Sequence, residues 1–137
     1  MAACGIVYED GELLLLRDLQ GFWSAVGGWI DPGETPEETV VREVREELGV
    51  EATVTAHFRP FIAWNVAEHD HPISFLLFPH RIRLASRDFT LQPTEVTDVA
   101  WVSPHKLADY EMREHPRKLL DDRLDEWLAH PERRLSS

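Results

Sequence analysis

Apolar residues in the first thirty positions come in short runs broken by charge and glycine, as strands do. Ala2 to Tyr8 and Glu12 to Leu16 predict two strands around Glu9-Asp10-Gly11, an Asp-Gly hairpin signal. Leu13 to Leu16 is continuous leucine, as expected of a strand covered on both faces. Phe22 to Val26 predicts a third, shorter strand leading into Gly27-Gly28. Then the period changes. At about 100° per residue, Val40, Val41, Val44 and Leu48 gather on one arc that must face a core. Thr35 is a natural N-cap and Pro36 stands where a missing N–H costs nothing. Glu38 completes a capping box, and Gly49 supplies a left-handed stop. The helix is therefore Pro36 to Leu48.

Beyond it, Ala52 to Val66 has strand composition, interrupted near Pro60. A polar turn, Glu68 to Pro72, leads to a partner strand, Ile73 to Leu84, whose regular part Pro79 is expected to end. A polar loop, Ala85 to Thr94, precedes a short strand, Val99 to Val102. Ser103-Pro104 opens a short helix, and Pro116 a longer one to about Ala129 with Leu120, Leu124, Trp127 and Leu128 on one face. The tail from Pro131 is expected to fray. Strands on either side of a central helix, with a closing helix, suggest an α/β domain with a mixed sheet between helices. With 137 residues and no linker or repeat, one domain over 1–137 is expected.

The polar side of the central helix carries the candidate chemistry. Glu43, Glu46 and Glu47 are related as i, i+3 and i+4, so their carboxylates share one arc, while Arg42 and Arg45 point elsewhere. Two like charges about 6 Å apart repel by roughly 3 kcal/mol at an effective dielectric near 20. Two of these acids also lie in the last turn, where the helix dipole favours cations. The simplest relief is a bound hard cation, Mg²⁺ or Mn²⁺, both of which prefer oxygen ligands.

Gly28, Glu34, Arg42, Glu43, Val44, Glu46, Glu47, Gly49 and Val50 together form a pattern that resembles the signature box of the Nudix hydrolase family. Val26 stands where the family usually has a proline. The resemblance implies the α/β/α Nudix fold and Mg²⁺-dependent cleavage, with Mn²⁺ as a substitute, of a diphosphate bond. It makes Glu47 a principal metal ligand, Glu43 a ligand or base, Glu46 a further ligand and the Gly27 carbonyl another. Glu34 and Arg42 would brace the loop against the helix. A later acid often completes such sites; Glu95 is the candidate ligand or base, and Asp98 a weaker one. The leaving group stays open: nucleotide sugars such as ADP-ribose, nucleoside triphosphates, dinucleoside polyphosphates and cap-like ends all fit. A family preference leans toward nucleoside diphosphates linked to another group. The rival reading is a Nudix-fold module that binds a nucleotide without turning it over. Isoprenyl diphosphate isomerisation, which uses the same fold, finds no suitably placed cysteine, since Cys4 is at the extreme N-terminus.

Charge narrows the partners. Fourteen Lys plus Arg against 25 Asp plus Glu give a net charge of −11. This argues against sequence-independent nucleic-acid binding and against docking on anionic membranes. A polyanionic substrate must then be received through metal ions or a local basic spot. The single cysteine, Cys4, and the lack of a leader or membrane-length apolar run suggest a cytoplasmic protein, monomer or homodimer. His69 and His71 read as a solvated turn. Trp23, Trp29, Phe58 and Trp64 are possible stacking rings near the site mouth, and Arg17, Arg59 and Arg81 possible phosphate contacts.

Overall fold

The computed structural model describes residues 1–68, 71–123 and 125–126. The element order is β1 (Ala2–Ile6), β2 (Tyr8–Glu9), β3 (Glu12–Arg17), β4 (Trp23–Ser24), β5 (Val26–Trp29), α1 (Pro36–Leu48), β6 (Ala52–His57), β7 (Phe61–Glu68), β8 (His71–Leu84) and β9 (Asp98–Val102). A 3₁₀ helix (Pro104–Asp109) and α2 (Glu114–Asp122) follow.

The strands form two sheets rather than one. The larger runs β5-β1-β8-β6, with β7 also on β8; the smaller runs β2-β3-β4, with β9 on β3. β1 lies parallel to β8, and the other pairs are antiparallel. The expected first strand is therefore split at Val7, where the chain passes between sheets. Asp10 and Gly11 turn the hairpin with φ of 52° and 79°, the left-handed pair that a two-residue connection requires. The expected third strand is split too: β4 pairs with β3, while Gly27 and Gly28 lie within β5, not in a loop.

Alternation along the strands builds two cores. Ala2, Cys4, Ile6, Leu13 and Leu15 face one with Leu119 and Leu120 of α2. Ala3, Val7, Leu14 and Leu16 face the other with Val40, Val44 and Leu48 of α1. The leucine run is apolar at every position because both of its faces are covered, giving helix, sheets, helix. Fully burying each α1 anchor contributes roughly 1.5–3 kcal/mol. Val41, expected on the same arc, is only half-buried; Thr39 takes the fully buried position instead.

β8 continues straight through Pro79. It pairs with β7 as far as Leu77 and with β6 from His80 onward, so Pro79 faces the link at 58–60. No ladder donor is needed there, and the Pro79 carbonyl accepts the Phe58 amide at 3.1 Å. α2 begins two residues before Pro116, leaving the proline within the first turn, where amides lack helical partners. Leu124, Trp127, Leu128 and the tail lie outside the described residues, as does His69.

Candidate active site

α1 forms with its expected limits. Thr35 Oγ1 accepts the Glu38 amide at 3.1 Å, Glu38 Oε1 accepts the Thr35 amide at 3.0 Å, and Gly49 takes φ 71°. The end of α1 then positions a distant segment. Its last carbonyls, which have no helical donors, are met by loop amides: Thr90 N–H on Leu48 O at 2.9 Å and Gln92 N–H on Glu47 O at 3.2 Å. Val96 is buried in the α1-side core, and Thr97 N–H donates to Arg17 O at 2.9 Å. Held from both sides, the loop carries Glu95 to the helix. Ligand oxygens of Glu43, Glu47 and Glu95 lie within 4.8 Å of one another.

The glycine pair makes the opposing wall. β5 pairs with β1 in the register Cys4↔Gly27 and Ala3↔Gly28, and α1 packs across it. A Cβ on Gly28 would collide with the Glu43 carboxylate, so the missing side chain leaves the space that this carboxylate occupies. Gly27 enters the site through its N–H, which donates to the Glu47 carboxylate. Gly28→Ala should cut activity at least tenfold with a smaller loss of stability, because Glu43 must swing away. Unaltered turnover in that variant would show that the carboxylate position is unimportant.

Arg42 does not point away from the acids. Its Nε donates to Glu34 Oε2 at 2.7 Å, and Nη1 to Glu43 Oε1 at 3.0 Å and Glu46 Oε2 at 3.1 Å. Nη2 donates to Trp29 O at 3.1 Å and Glu34 Oε1 at 3.0 Å. All five guanidinium N–H groups are thus engaged, tying the 29–34 loop to the helix. Glu34 also accepts from Asp31 N–H and Thr39 Oγ1, and hydrogen bonding led by Arg42 lowers its pKa to about 2. Glu46, expected as a further ligand, lines the same cleft half-exposed and accepts from Arg42, while Glu95, the expected later acid, stands beside Glu43 and Glu47.

Electrostatics separates these acids. Burial, followed by the charges of Glu43 and Glu95, pushes Glu47 up to about 9, against the Gly27 N–H. Burial also raises Glu43, with Arg42 opposing. Among the described residues no cationic side chain pairs with Glu47 or Glu95. An all-carboxylate donor set without a counter-charge suits a hard divalent cation.

The cluster forms the floor of an open cleft of ≈ 590 Å³, also lined by Asp18, Gln20, Thr94 and Arg113. Gly27, Gly28 and Trp29 separate it from a smaller cavity of ≈ 180 Å³ lined by Ala3, Cys4, Phe75, Leu77, His115 and Leu119, among others. Trp29 meets Phe75 edge-on at 4.8 Å, and Phe75 meets His115 at 5.8 Å. Burial, then the Arg113 charge, holds the His115 pKa down, so its imidazole is neutral at pH 7. Cys4 lines this cavity despite its place in the sequence, but burial raises its thiol to about 12, which denies it thiolate chemistry.

The other candidates disperse. Phe58 is buried in the α2-side core, and Trp23 packs against that core, edge-on to Tyr110 at 5.2 Å. Trp64 is 69% exposed and lines a different cavity. Arg81 is 2% exposed and donates to Tyr8 O at 2.6 Å, and Arg59 pairs with Glu126 at 3.3 Å. Arg17 and Asp98 pair in the β3–β9 ladder, and His71 is exposed at the start of β8. Arg113, which does line the cleft, escaped sequence reading because no spacing rule links it to α1.

A family model for the NUDIX domain matches residues 1–123. The chain is 33% identical over 113 residues to the CTP pyrophosphohydrolase of Escherichia coli K12, covering 78% of each. It is 34% identical to nucleoside triphosphatase NudI of Enterobacter sp. strain 638, covering 83% of this chain and 89% of that one. It is 33% identical to NAD-capped RNA hydrolase NudC of Pseudomonas putida GB-1, of which it spans only 45%. The solution structure of the E. coli ORF135 protein superposes with a TM-score of 0.68 at 28% identity, over 96% of this chain and 93% of that one. The chain belongs to the Nudix hydrolase family and is a pyrophosphohydrolase of nucleotide diphosphate bonds. Nothing among these findings supports a non-catalytic nucleotide-binding module.

Proposed function

We propose that this chain, as one catalytic domain over 1–137, hydrolyses a small nucleotide in a Mg²⁺-dependent reaction. The substrate is a nucleoside triphosphate or a nucleoside diphosphate linked to another group. The observation that carries the reading is the trio Glu43, Glu47 and Glu95, within 4.8 Å of one another and lacking a cationic partner, on the floor of a cleft that adjoins an apolar cavity. Glu43, Glu47 and Glu95 hold the cation, and Mn²⁺ can take its place. Gly27 fixes Glu47 through its N–H, while Arg42 and Glu34 brace Glu43 and turn Glu46 aside. Bound there, Mg²⁺ supplies positive charge that offsets the repulsion between phosphate oxygens and an incoming water. Glu95, the most exposed of the three, takes the proton from that water as general base. The cavity beside Trp29 receives the base, with Phe75 supplying apolar surface and neutral His115 the polar contact.

A free, buried Cys4 and the absence, among the described residues, of any helix long and apolar enough to cross a membrane support a cytoplasmic location. The two relatives matched over most of their length bear the names of nucleoside triphosphate enzymes, which puts triphosphates first on the test panel. Product analysis should cover CTP, the other triphosphates, ADP-ribose and a dinucleoside polyphosphate, each with Mg²⁺ and with Mn²⁺. Release of a nucleoside monophosphate is expected; no phosphate or monophosphate from any compound would overturn the reading.

A further inference from the structure

A strongly acidic protein that acts on a polyanion needs a cation free to meet it. Two arginines line the cleft, Arg42 and Arg113. Arg42 has no N–H to spare, since its five donors already serve Glu34, Glu43, Glu46 and Trp29 O. Arg113 is differently placed. It immediately precedes α2, one-third exposed, its guanidinium over the Phe22 ring at 4.4 Å. Nη1 donates to Asp18 and Nη2 to Gln20. Two of its five N–H groups are used in this way, and among the described residues the others have no protein acceptor.

The turn that Arg113 touches does not depend on it. Asp18 Oδ1 accepts the Gln20 amide at 2.9 Å and the Phe22 amide at 3.1 Å, and Asp18 N–H donates to Phe22 O at 2.9 Å. Trp23 N–H then donates to Glu111 O at 2.8 Å, fastening the turn to the segment before α2. A closed turn already tied by its backbone gains little from one partly exposed ion pair, worth about 0–1 kcal/mol. The same guanidinium facing a phosphate gains a charge-assisted, two-pronged contact.

The geometry points to Arg113 as the substrate-binding residue that takes the phosphate chain across the cleft from Glu43, Glu47 and Glu95. Resting on Asp18 and Gln20, it keeps its orientation and presents its remaining N–H groups to phosphate oxygens. The inference rests on the diphosphate-hydrolase reading, deepening it by assigning the local basic spot that the net charge demands. Arg113 also borders a second cavity with Lys118 and Trp64, which shares His115 with the cavity beside Trp29.

Calorimetric titration with imidodiphosphate in the presence of Mg²⁺ tests this without turnover. Arg113→Gln should weaken binding at least tenfold, and Arg113→Lys should recover only part of it, since the charge returns without the fork. Asp18→Asn keeps the acceptor for the two backbone amides but removes the competing charge; it should bind as tightly as the parent or more so. Where hydrolysis is measured, Arg113→Gln should raise KM with kcat within about threefold and should flatten its dependence on salt. Equal binding by the parent and Arg113→Gln overturns the assignment. So does an equal loss in Asp18→Asn, which would mean that Arg113 only holds the turn, and so does a parent that fails to bind. A failed product panel would count against the hydrolase reading instead.

Discussion

Replacing Glu47 with Gln should lower kcat by two decades or more, about 3 kcal/mol of barrier, and leave the fold intact. The shape of the side chain is retained, and the amide can still accept the Gly27 N–H. What disappears is a carboxyl beside Glu43 and Glu95, with ligand oxygens within 4.8 Å, that the metal-free protein must keep protonated up to about pH 9. Holding that proton where the unfolded chain has released it lowers the stability of the metal-free parent at pH 7, and an amide carries no such cost. Glu47→Gln should therefore unfold at the same temperature as the metal-free parent or higher, while losing the Mg²⁺-induced rise in Tm. A variant that is both less active and markedly less stable would indicate a damaged core instead. Full activity would remove Glu47 from the chemistry.

The same burial yields a pH dependence of defined sign. In the folded protein the Glu47 pKa is about 9, above the ordinary 4.5 of a glutamate. Between those values the unfolded chain has released a proton that the folded protein keeps, so metal-free stability must fall as pH rises. The slope from one proton is about −1.4 kcal/mol per pH unit until the folded group ionises. His80 and His115, both depressed by burial first, oppose folding as pH falls through their ordinary range, and Glu34 loses its contribution as pH falls from 4.5 to about 2. The window from pH 7 to 9 is thus governed by Glu47, joined toward its upper end by the buried Cys4 thiol, which is raised to about 12 and acts in the same direction. Mg²⁺ should counter the fall, its Tm increment growing with pH as ligands ionise. Melting curves at pH 7 and 9, with EDTA or Mg²⁺, read both effects, and Glu47→Gln should flatten the first. A metal-free protein whose stability rises across that window would contradict the raised Glu47.

The match between expectation and structure is closest where short-range rules act. α1 runs from Pro36 to Leu48 as expected because its cap, proline and terminal glycine are local signals, sufficient within a few residues. The two-faced burial of Leu13 to Leu16 was equally readable, since an unbroken apolar strand has no face for water. Expectations fail where partners are remote. One continuous strand through Val7, and another from Phe22 to Val26, gave no local sign of changing sheets. Pro79 suggested a strand end because the 58–60 gap opposite it depends on how β6 and β7 divide the edge of β8. Glu46 and Glu47 look equivalent along the helix, but Arg42 claims one and the Gly27 amide holds the other.

By itself, the order of residues determined the central helix, its limits, its buried arc and the crowding of acids at its C-terminal end. Those follow from periodicity, capping and Coulomb repulsion, all acting within a few turns of chain. Which acids meet was left to tertiary structure: Glu95 arrives because loop amides satisfy the open carbonyls of Glu47 and Leu48, and Glu43 fits because Gly28 has no side chain. Arg113 faces the cleft 95 residues after Asp18 for the same kind of reason. Contacts between distant segments depend on sheet order and helix docking, and no spacing along the chain encodes them.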